Sequence, residues 1–261
     1  MTFGNIKLVL DGPTARVTLA RPNKLNPLDW ATIQELRHAL KQIEAKSEVT
    51  FAVITGEGRS FSAGGDLEAY VHLYRQPAEF AAFLSDFYDL LTAMESSEKI
   101  FIAAVNGICV AGGMELLLAC DLALAADTAK LGDCHLNFGQ LPGAGGSQRL
   151  PRAIGLLRAK HLMMIGDLLS AAEAEKIGLV GGVVPADDLD NAVNRLIAKM
   201  SAKSRAGLRG IKHLANLTLQ HDLDAGLKAE IAFVRHYVTT ELDAVEGLTA
   251  FANKRDPVFS S

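Results

Sequence analysis

The sequence has few cysteines, few aromatic residues and no block of basic residues. Its three cysteines form no CxxC pair and no histidine cluster accompanies them, so neither a zinc site nor a disulfide framework is indicated. The net charge of −4, with lysine and arginine dispersed along the chain, excludes the electrostatic footprint of a nucleic-acid-binding protein. No apolar run reaches about 18 residues, so no membrane span is predicted. An anionic ligand therefore has to be held by local groups.

Several familiar motifs are also missing. The chain has no G-x-G-x-x-G after its first strand-like run, no phosphate-binding loop ending in G-K-S or G-K-T, and no G-x-S-x-G elbow. Dinucleotide binding, nucleotide hydrolysis and a serine-hydrolase triad are therefore poorly supported. The first residues lack a basic stretch followed by an apolar run, so no secretory signal is indicated and a cytoplasmic protein is expected.

Short strand-like runs alternate with helical periodicity through the first 130 residues. The clearest strand runs are Ala15–Ala20, Thr50–Thr55, Ile100–Val105 and Asp121–Ala126. The phenylalanines of the predicted helix 78–94 are interpreted as core residues. Strands separated by helices predict an α/β fold. After about residue 190 only amphipathic helices follow. We therefore predict an α/β core over 1–190 and a helical region over 191–261, whose apolar stripes need the core or another subunit as partner.

Two glycine-rich turns each follow a predicted buried strand. "FSAGGDL" (Phe61–Leu67) comes shortly after Thr50–Thr55, and "NGICVAGGMEL" (Asn106–Leu116) comes directly after Ile100–Val105. A glycine turn between a strand and a helix points free amide N–H groups at a negative atom. Two such turns from neighbouring strands can form an oxyanion hole. The alternative is that the glycines serve only tight turns and close helix–strand packing.

Glu115 stands out as a carboxylate inside the apolar run "MELLLAC". A buried carboxylate is either paired structurally or functional. Its place in the first turn of a predicted helix favours the ionised form. An ionised carboxylate beside an oxyanion hole can act as a general base on a bound water.

Four segments together resemble the crotonase superfamily, the enoyl-CoA hydratase/isomerase family, over roughly Ile6 to Phe259. They are "FSAGGDL", "IAAVNGICVAGGMELLLACDLALAAD", "LPGAGGSQRLPRAIG" and "AFANKRDPVF". The resemblance implies a spiral of ββα units followed by a helical trimerisation region, in a homotrimer or a dimer of trimers. It also implies an acyl-CoA substrate, an enolate held at the thioester carbonyl, and no cofactor or metal beyond the coenzyme A of the substrate.

The resemblance also assigns residues. The two oxyanion N–H groups would come from Gly65 and Gly112, and Glu115 occupies the position of the first of two catalytic glutamates. Six residues would bind the coenzyme A portion, the last two in some members from a neighbouring subunit: Lys24, Ala63, Asp66, Leu67, Phe251 and Lys254.

The second glutamate of the family is replaced by His135. A histidine can deliver the proton to the α-carbon, since it is partly protonated near neutral pH. The alternative is a spacer that orders the loop and leaves Glu115 alone. If this segment is extended, Asp133 shares a face with His135 and can orient its ring.

The expected activity is hydration of a 2-enoyl-CoA, with Glu115 as base and His135 as proton donor. The missing second glutamate leaves isomerisation, hydrolysis and decarboxylation open as reactions on the same scaffold. A member that binds acyl-CoA without turnover is the remaining alternative.

Overall fold

The computed structural model describes residues 3–259 and divides the chain into two compact units, Met1–Val193 and Asn194–Ser261. Strands occur only in the first unit among the described residues: β1 Ile6–Asp11, β2 Thr14–Leu19, β3 Phe51–Gly56, β4 Ser60–Ser62, β5 Ile100–Val105, β6 Ile108–Val110, β7 Leu122–Ala126, β8 Lys130–Gly132, β9 Leu169–Ser170 and β10 Val183–Val184. The helices that begin in this unit are α1 Trp30–Glu44, α2 Leu67–Leu73, α3 Pro77–Ser96, α4 Gly112–Leu118, α5 Gly146–Ile154, α6 Leu156–Ile165, α7 Ala171–Lys176 and α8 Leu189–Ser201.

The strands form two sheets. The larger has the order β1-β2-β3-β5-β7-β10 and is parallel except for the β1–β2 pair. The smaller has the order β4-β6-β8-β9 and is parallel except for β8–β9. A long buried strand, a short strand and a helix follow one another in β3-β4-α2 and again in β5-β6-α4. The predicted α/β class and its ββα rhythm are confirmed.

The sequence analysis did not predict the short strands β4 and β6. The glycine turns were expected shortly after the first long strand and directly after the second, but each turn leaves a three-residue strand of the second sheet. Three residues are too few for an alternating pattern to be read. Because β4 and β6 are parallel neighbours, the two turns leave the same edge of that sheet side by side.

Helices α1 and α3 pack on each other above the larger sheet. Helix α1 begins where the Asp29 carboxylate accepts a hydrogen bond from the Thr32 backbone N–H at 2.8 Å. Its buried stripe has the 3–4 spacing of an amphipathic helix: Ile33, Leu36, Leu40 and Ile43. Helix α3 buries Phe83, Phe87, Leu90, Leu91 and Met94 in the same way. This packing fixes the position of the α3 face that lines the cavity of the candidate active site.

The second unit consists of helices, among them α9 Arg205–Leu217, α10 Leu223–Thr240 and α11 Asp243–Ala252, which contact one another. The His213 ring stacks on Phe233 with centroids 4.9 Å apart, joining α9 to α10. Helix α10 buries none of its residues, and its exposed apolar stripe comprises Leu223, Leu227, Ile231, Val234 and Val238. Within residues 3–259, no helix has the length and apolarity needed to cross a membrane.

Candidate active site

A cavity of about 300 Å³ lies in the first unit, where the two glycine turns, α2, α3 and the loop before α5 meet. It is lined by four of the predicted catalytic residues and two of the predicted binding residues: Gly65, Gly112, Glu115, His135, Ala63 and Leu67. The structure therefore brings together in one place residues that are up to 72 positions apart in the sequence.

The two glycine turns touch at the level of the backbone. Gly64 has a φ of +87°, and a Cβ there would lie 2.7 Å from the Cβ of Ala111 and 3.0 Å from the nitrogen of Gly112. Only glycine permits this approach. Among residues 3–259, neither the Gly65 nor the Gly112 N–H donates to an acceptor. Both amides are therefore available to a ligand oxygen at the cavity wall.

Ala111 sets the direction of the Gly112 amide. Its φ of +50° and ψ of −121° lie in a region that a residue with a side chain rarely adopts. The strain is balanced by a hydrogen bond from the Ala111 N–H to the Asp133 carbonyl oxygen at 2.9 Å. The start of α4 is thereby tied to the backbone that precedes His135.

The Glu115 carboxylate is buried, with 2% of the residue exposed. Its Oε1 accepts hydrogen bonds from the backbone N–H groups of Ala144 and Gly146, both at 2.8 Å. Burial raises the pKa of Glu115, and the Gly146 amide, His135 and the Ala144 amide oppose that rise. The expectation that the helix N-terminus favours the ionised form is therefore outweighed, because desolvation is the larger effect in this apolar run.

His135 begins a 3₁₀ turn, His135–Phe138, rather than lying in an extended segment. The condition of an extended segment is not met, because Cys134 adopts a left-handed conformation with φ of +57°. Asp133 is nevertheless adjacent to the ring: its Oδ1 lies 3.1 Å from His135 Nδ1. The two atoms are not aligned as a hydrogen bond, and the buried Nδ1 has no other partner among the described residues. The opposite ring nitrogen, Nε2, lies 3.7 Å from Glu115 Oε2.

Arg149 supports the loop that holds Glu115, and sequence reasoning missed it. Its Nη1 donates to the Ala144 carbonyl at 2.7 Å, while Nε and Nη2 donate to the two Glu95 oxygens at 2.5 and 2.8 Å. Glu95 raises the pKa of the guanidinium and keeps it charged. The signal in the sequence was an arginine three residues after the glycine pair of "GAGGSQRL".

Tyr70 is a second residue that the sequence analysis missed. A Cβ at Gly65 would lie 2.4 Å from the Tyr70 hydroxyl oxygen, so this ring covers the glycine that carries one free amide. Burial raises the pKa of Tyr70, and nearby carboxylates add to the rise, so the phenol stays protonated. Phe83 and Phe87 of α3 are buried in the core, as the sequence analysis expected, and together with Phe80 they also line the cavity.

Two further predicted binding residues, Lys24 and Asp66, lie close to each other at the start of α2. The Lys24 ammonium lies 3.7 Å from an Asp66 oxygen and 3.8 Å from Glu68, at the start of α2. The Asp66 carboxylate caps α2 by accepting from the Ala69 N–H at 3.2 Å. Neither Lys24 nor Asp66 lines the cavity.

Phe251 and Lys254 belong to the second unit. Phe251 lies on α11 and is 85% exposed, and Lys254 follows the helix with a φ of +54°. Their predicted contact with coenzyme A stays a prediction. No group of three or more histidine, cysteine, aspartate or glutamate side chains within the described chain could hold a metal ion.

Comparison with known proteins decides the family. The model of the enoyl-CoA hydratase/isomerase family matches residues 12–261. The chain belongs to this family.

A relative named "Probable enoyl-CoA hydratase echA8" from Mycobacterium tuberculosis is 37% identical over all of this chain and 99% of its own length. The crotonyl-CoA hydratase of Syntrophomonas wolfei is also 37% identical, over the whole of both chains. The crystal structure of an enoyl-CoA hydratase from Bacillus anthracis superposes with a TM-score of 0.91 at 34% identity, covering 98% of this chain and 99% of that one. The predicted crotonase fold is thereby confirmed for this member of the enoyl-CoA hydratase/isomerase family.

Proposed function

We propose that this chain hydrates 2-enoyl-CoA thioesters. The observation that carries the proposal is the meeting of two unbonded amides, Gly65 and Gly112, with a buried carboxylate and an imidazole 3.7 Å apart in one cavity. The similarity to the crotonyl-CoA hydratase of Syntrophomonas wolfei supports the same reaction.

The two amides bind the thioester carbonyl oxygen. When hydroxide adds at C3, the electrons of the double bond move towards the carbonyl, and the oxygen becomes an enolate oxyanion. Donors aimed at this oxygen stabilise the transition state, and loss of one such donor typically costs about 3 kcal/mol. The strained Ala111 backbone holds the Gly112 donor in place before substrate arrives.

The carboxylate and the imidazole handle the protons. Glu115 Oε2 takes a proton from water as the hydroxide oxygen bonds to C3, and protonated His135 gives its Nε2 proton to C2. The product gains one water, Glu115 is left protonated and His135 is left neutral. These two atoms are 3.7 Å apart, and one bridging water is proposed to return the proton from Glu115 to His135 and reset the site.

The coenzyme A portion is proposed to bind along Ala63, Asp66 and Leu67, with Lys24 near its nucleotide end, and closure of the site by Phe251 and Lys254 stays a prediction from the resemblance. No further cofactor or metal takes part.

The exposed apolar stripe of α10 is proposed to pack in a homotrimer or a dimer of trimers, since Leu227, Ile231 and Val238 leave a surface that a second copy can bury. Free thiols at all three cysteines are consistent with the cytoplasm as the proposed compartment.

Mass-spectrometric turnover of crotonyl-CoA in heavy water tests the function. The expected wild-type product carries one added water and one deuterium at C2, and Glu115→Gln forms it at least a hundredfold more slowly. Glu79→Gln, an exposed glutamate on α3, is the matched control and keeps the wild-type rate. Binding of thioesters without any turnover would contradict the proposal and indicate a non-catalytic member.

The replacement of the second glutamate by His135 favours one further candidate, isomerisation of the enoyl double bond. Hydrolysis and decarboxylation are related reactions that use the same oxyanion hole. Deuterium exchange or double-bond migration without added water would assign the chain to isomerisation, and loss of coenzyme A or of carbon dioxide to one of the others.

A further inference from the structure

The part of the cavity beyond the glycine turns is unusually rich in aromatic rings. Six of the twenty lining residues are aromatic, whereas aromatic residues make up 6% of the chain. They come from α2, α3 and the 3₁₀ turn: Tyr70, Tyr74, Phe80, Phe83, Phe87 and Phe138.

Five of these rings form a continuous series of contacts. Tyr70 and Tyr74 are stacked with centroids 5.6 Å apart, and Tyr74 meets Phe80 edge to face at 4.7 Å. Phe80 stacks on Phe83 at 6.3 Å, and Phe83 contacts Phe87 at 6.2 Å. These separations fall in the range of favourable ring–ring contacts. A hydrogen bond from the Tyr74 hydroxyl to the Gln140 side chain ties this series to the opposite wall.

The size of the cavity exceeds the needs of a short acyl chain. A dry cavity of about 150 Å³ is large enough to bind benzene. The space here is about 300 Å³, so a ring fits together with the enoyl thioester unit that the glycine turns would hold. A four-carbon acyl group would leave much of this space unfilled.

We propose that the acyl group carried by the substrate is aromatic, as in a 3-aryl-2-enoyl thioester. This inference rests on the proposed function, because it places the thioester oxygen at Gly65 and Gly112. Conjugation keeps the aryl ring, the double bond and the carbonyl in one plane. A flat ring gains stacked and edge-to-face contacts with Tyr74 and Phe80 that a flexible aliphatic chain cannot make.

Binding of saturated thioesters tests the inference independently of turnover. Isothermal titration of the wild-type protein with 3-phenylpropanoyl-CoA, butanoyl-CoA and octanoyl-CoA gives three dissociation constants, and none of these ligands can add water. We expect at least tenfold tighter binding of the phenyl ligand than of either aliphatic one. Equal binding, or tighter binding of octanoyl-CoA, would overturn the proposal.

Matched variants test the role of the rings. Phe80→Leu removes one ring and keeps an apolar side chain, so the ratio of the dissociation constants for butanoyl-CoA and 3-phenylpropanoyl-CoA should fall about threefold or more. Tyr88→Leu removes an exposed ring of the same helix that does not line the cavity, and should keep the preference. A preference that survives both Phe80→Leu and Tyr74→Leu would refute recognition by these rings.

The two proposals fail separately. Hydration of crotonyl-CoA without selectivity for cinnamoyl-CoA would leave the proposed function intact and remove the inference. Selective binding of 3-phenylpropanoyl-CoA without hydration of any enoyl thioester would remove the proposed function and leave the preference for an aromatic acyl group intact.

Discussion

The imidazole of His135 lies between two carboxylates, with Nε2 3.7 Å from Glu115 Oε2 and Nδ1 3.1 Å from Asp133 Oδ1. Each ring nitrogen therefore lies near a carboxyl oxygen, although the Nδ1–Oδ1 contact is not aligned as a hydrogen bond. Asp133 and Glu115 are both buried, at 1% and 2% exposure, so the two carboxyl groups are held away from solvent.

Replacing Glu115 by glutamine should lower the activity without lowering the stability of the fold. The amide oxygen of the new side chain can still accept the two backbone N–H bonds, but the amide cannot take a proton from water. We expect kcat for hydration to fall by about 10²–10⁴-fold with little change in KM. Steady-state kinetics on crotonyl-CoA checks this, and an unchanged kcat would remove Glu115 from the mechanism.

The same variant should unfold at a higher temperature than the wild type at pH 8. Because burial raises the pKa of Glu115 above its value in the unfolded chain, the unfolded state loses this proton first, and stability is lost as the pH rises through the folded-state pKa. A gain of about 1 kcal/mol corresponds to about 2–4 °C in Tm. The gain should vanish at low pH, where Glu115 is protonated in both states. A Tm difference independent of pH would contradict this explanation.

Changing His135 should distinguish a proton donor from a spacer. His135→Gln keeps a polar side chain of similar reach, and we expect kcat to fall by about a hundredfold. His135→Glu restores the arrangement of the family and should retain more activity than His135→Gln. Near-wild-type kinetics in both variants would favour the spacer.

Arg149 is predicted to be a positioning residue that acts through the Ala144 carbonyl. Arg149→Lys cannot make the forked contact with Glu95 and also reach that carbonyl. Without this support the Ala144 and Gly146 amides bind Glu115 less well, so the pKa of Glu115 rises further. We expect kcat to fall about tenfold at similar KM, with the acid limb of the pH profile moved to higher pH.

Arg152→Lys is the control for this experiment. Arg152 lies on the same helix, is exposed, and donates to the Gln148 carbonyl at 2.8 Å. It should leave both kcat and the pH profile unchanged. An acid limb that does not move in Arg149→Lys would show that Arg149 only stabilises the fold.

Gly65→Ala should be destabilising through its contact with Tyr70. The added methyl would lie 2.4 Å from the phenol oxygen, so the ring must move. In a Tyr70→Ala background the same substitution should cost less free energy of unfolding, with a coupling of about 0.5–3 kcal/mol in urea denaturation. Additive effects of the two substitutions would contradict the contact.

The α10 stripe should control the oligomeric state. Ile231→Glu places a charge in the middle of the exposed apolar stripe, and analytical ultracentrifugation should show dissociation of the wild-type trimer or hexamer. His236→Glu adds the same charge to the same helix outside the stripe and should leave the assembly intact. A wild-type protein that sediments as a monomer would refute the assembly itself.

The glycine turns and Glu115 stand out as short local patterns, whereas the choice of Gly65, Gly112 and His135 as site residues depends on the resemblance to the crotonase superfamily. Glycine turns after strands and a carboxylate in an apolar run are visible without knowledge of the fold. The cavity that brings the four residues together agrees with that prediction, while their catalytic roles stay predictions.

Tyr70, Arg149 and the conformation at Cys134 depend on packing between distant segments. Tyr70 matters because its ring covers Gly65, and Arg149 because Glu95, 54 positions away, holds its guanidinium. A left-handed cysteine carries no signal of its own, since the residue most often found in that conformation is glycine. Contacts of this kind become visible only once the chain is folded.

The hydrogen bond from the Ala111 amide to the Asp133 carbonyl joins two backbones and involves neither residue's side chain. A substitution at position 135 therefore leaves this bond, and with it the orientation of the Gly112 amide, in place. The side chain proposed to deliver the proton and the amide proposed to hold the enolate oxygen are thus positioned by separate groups of the chain.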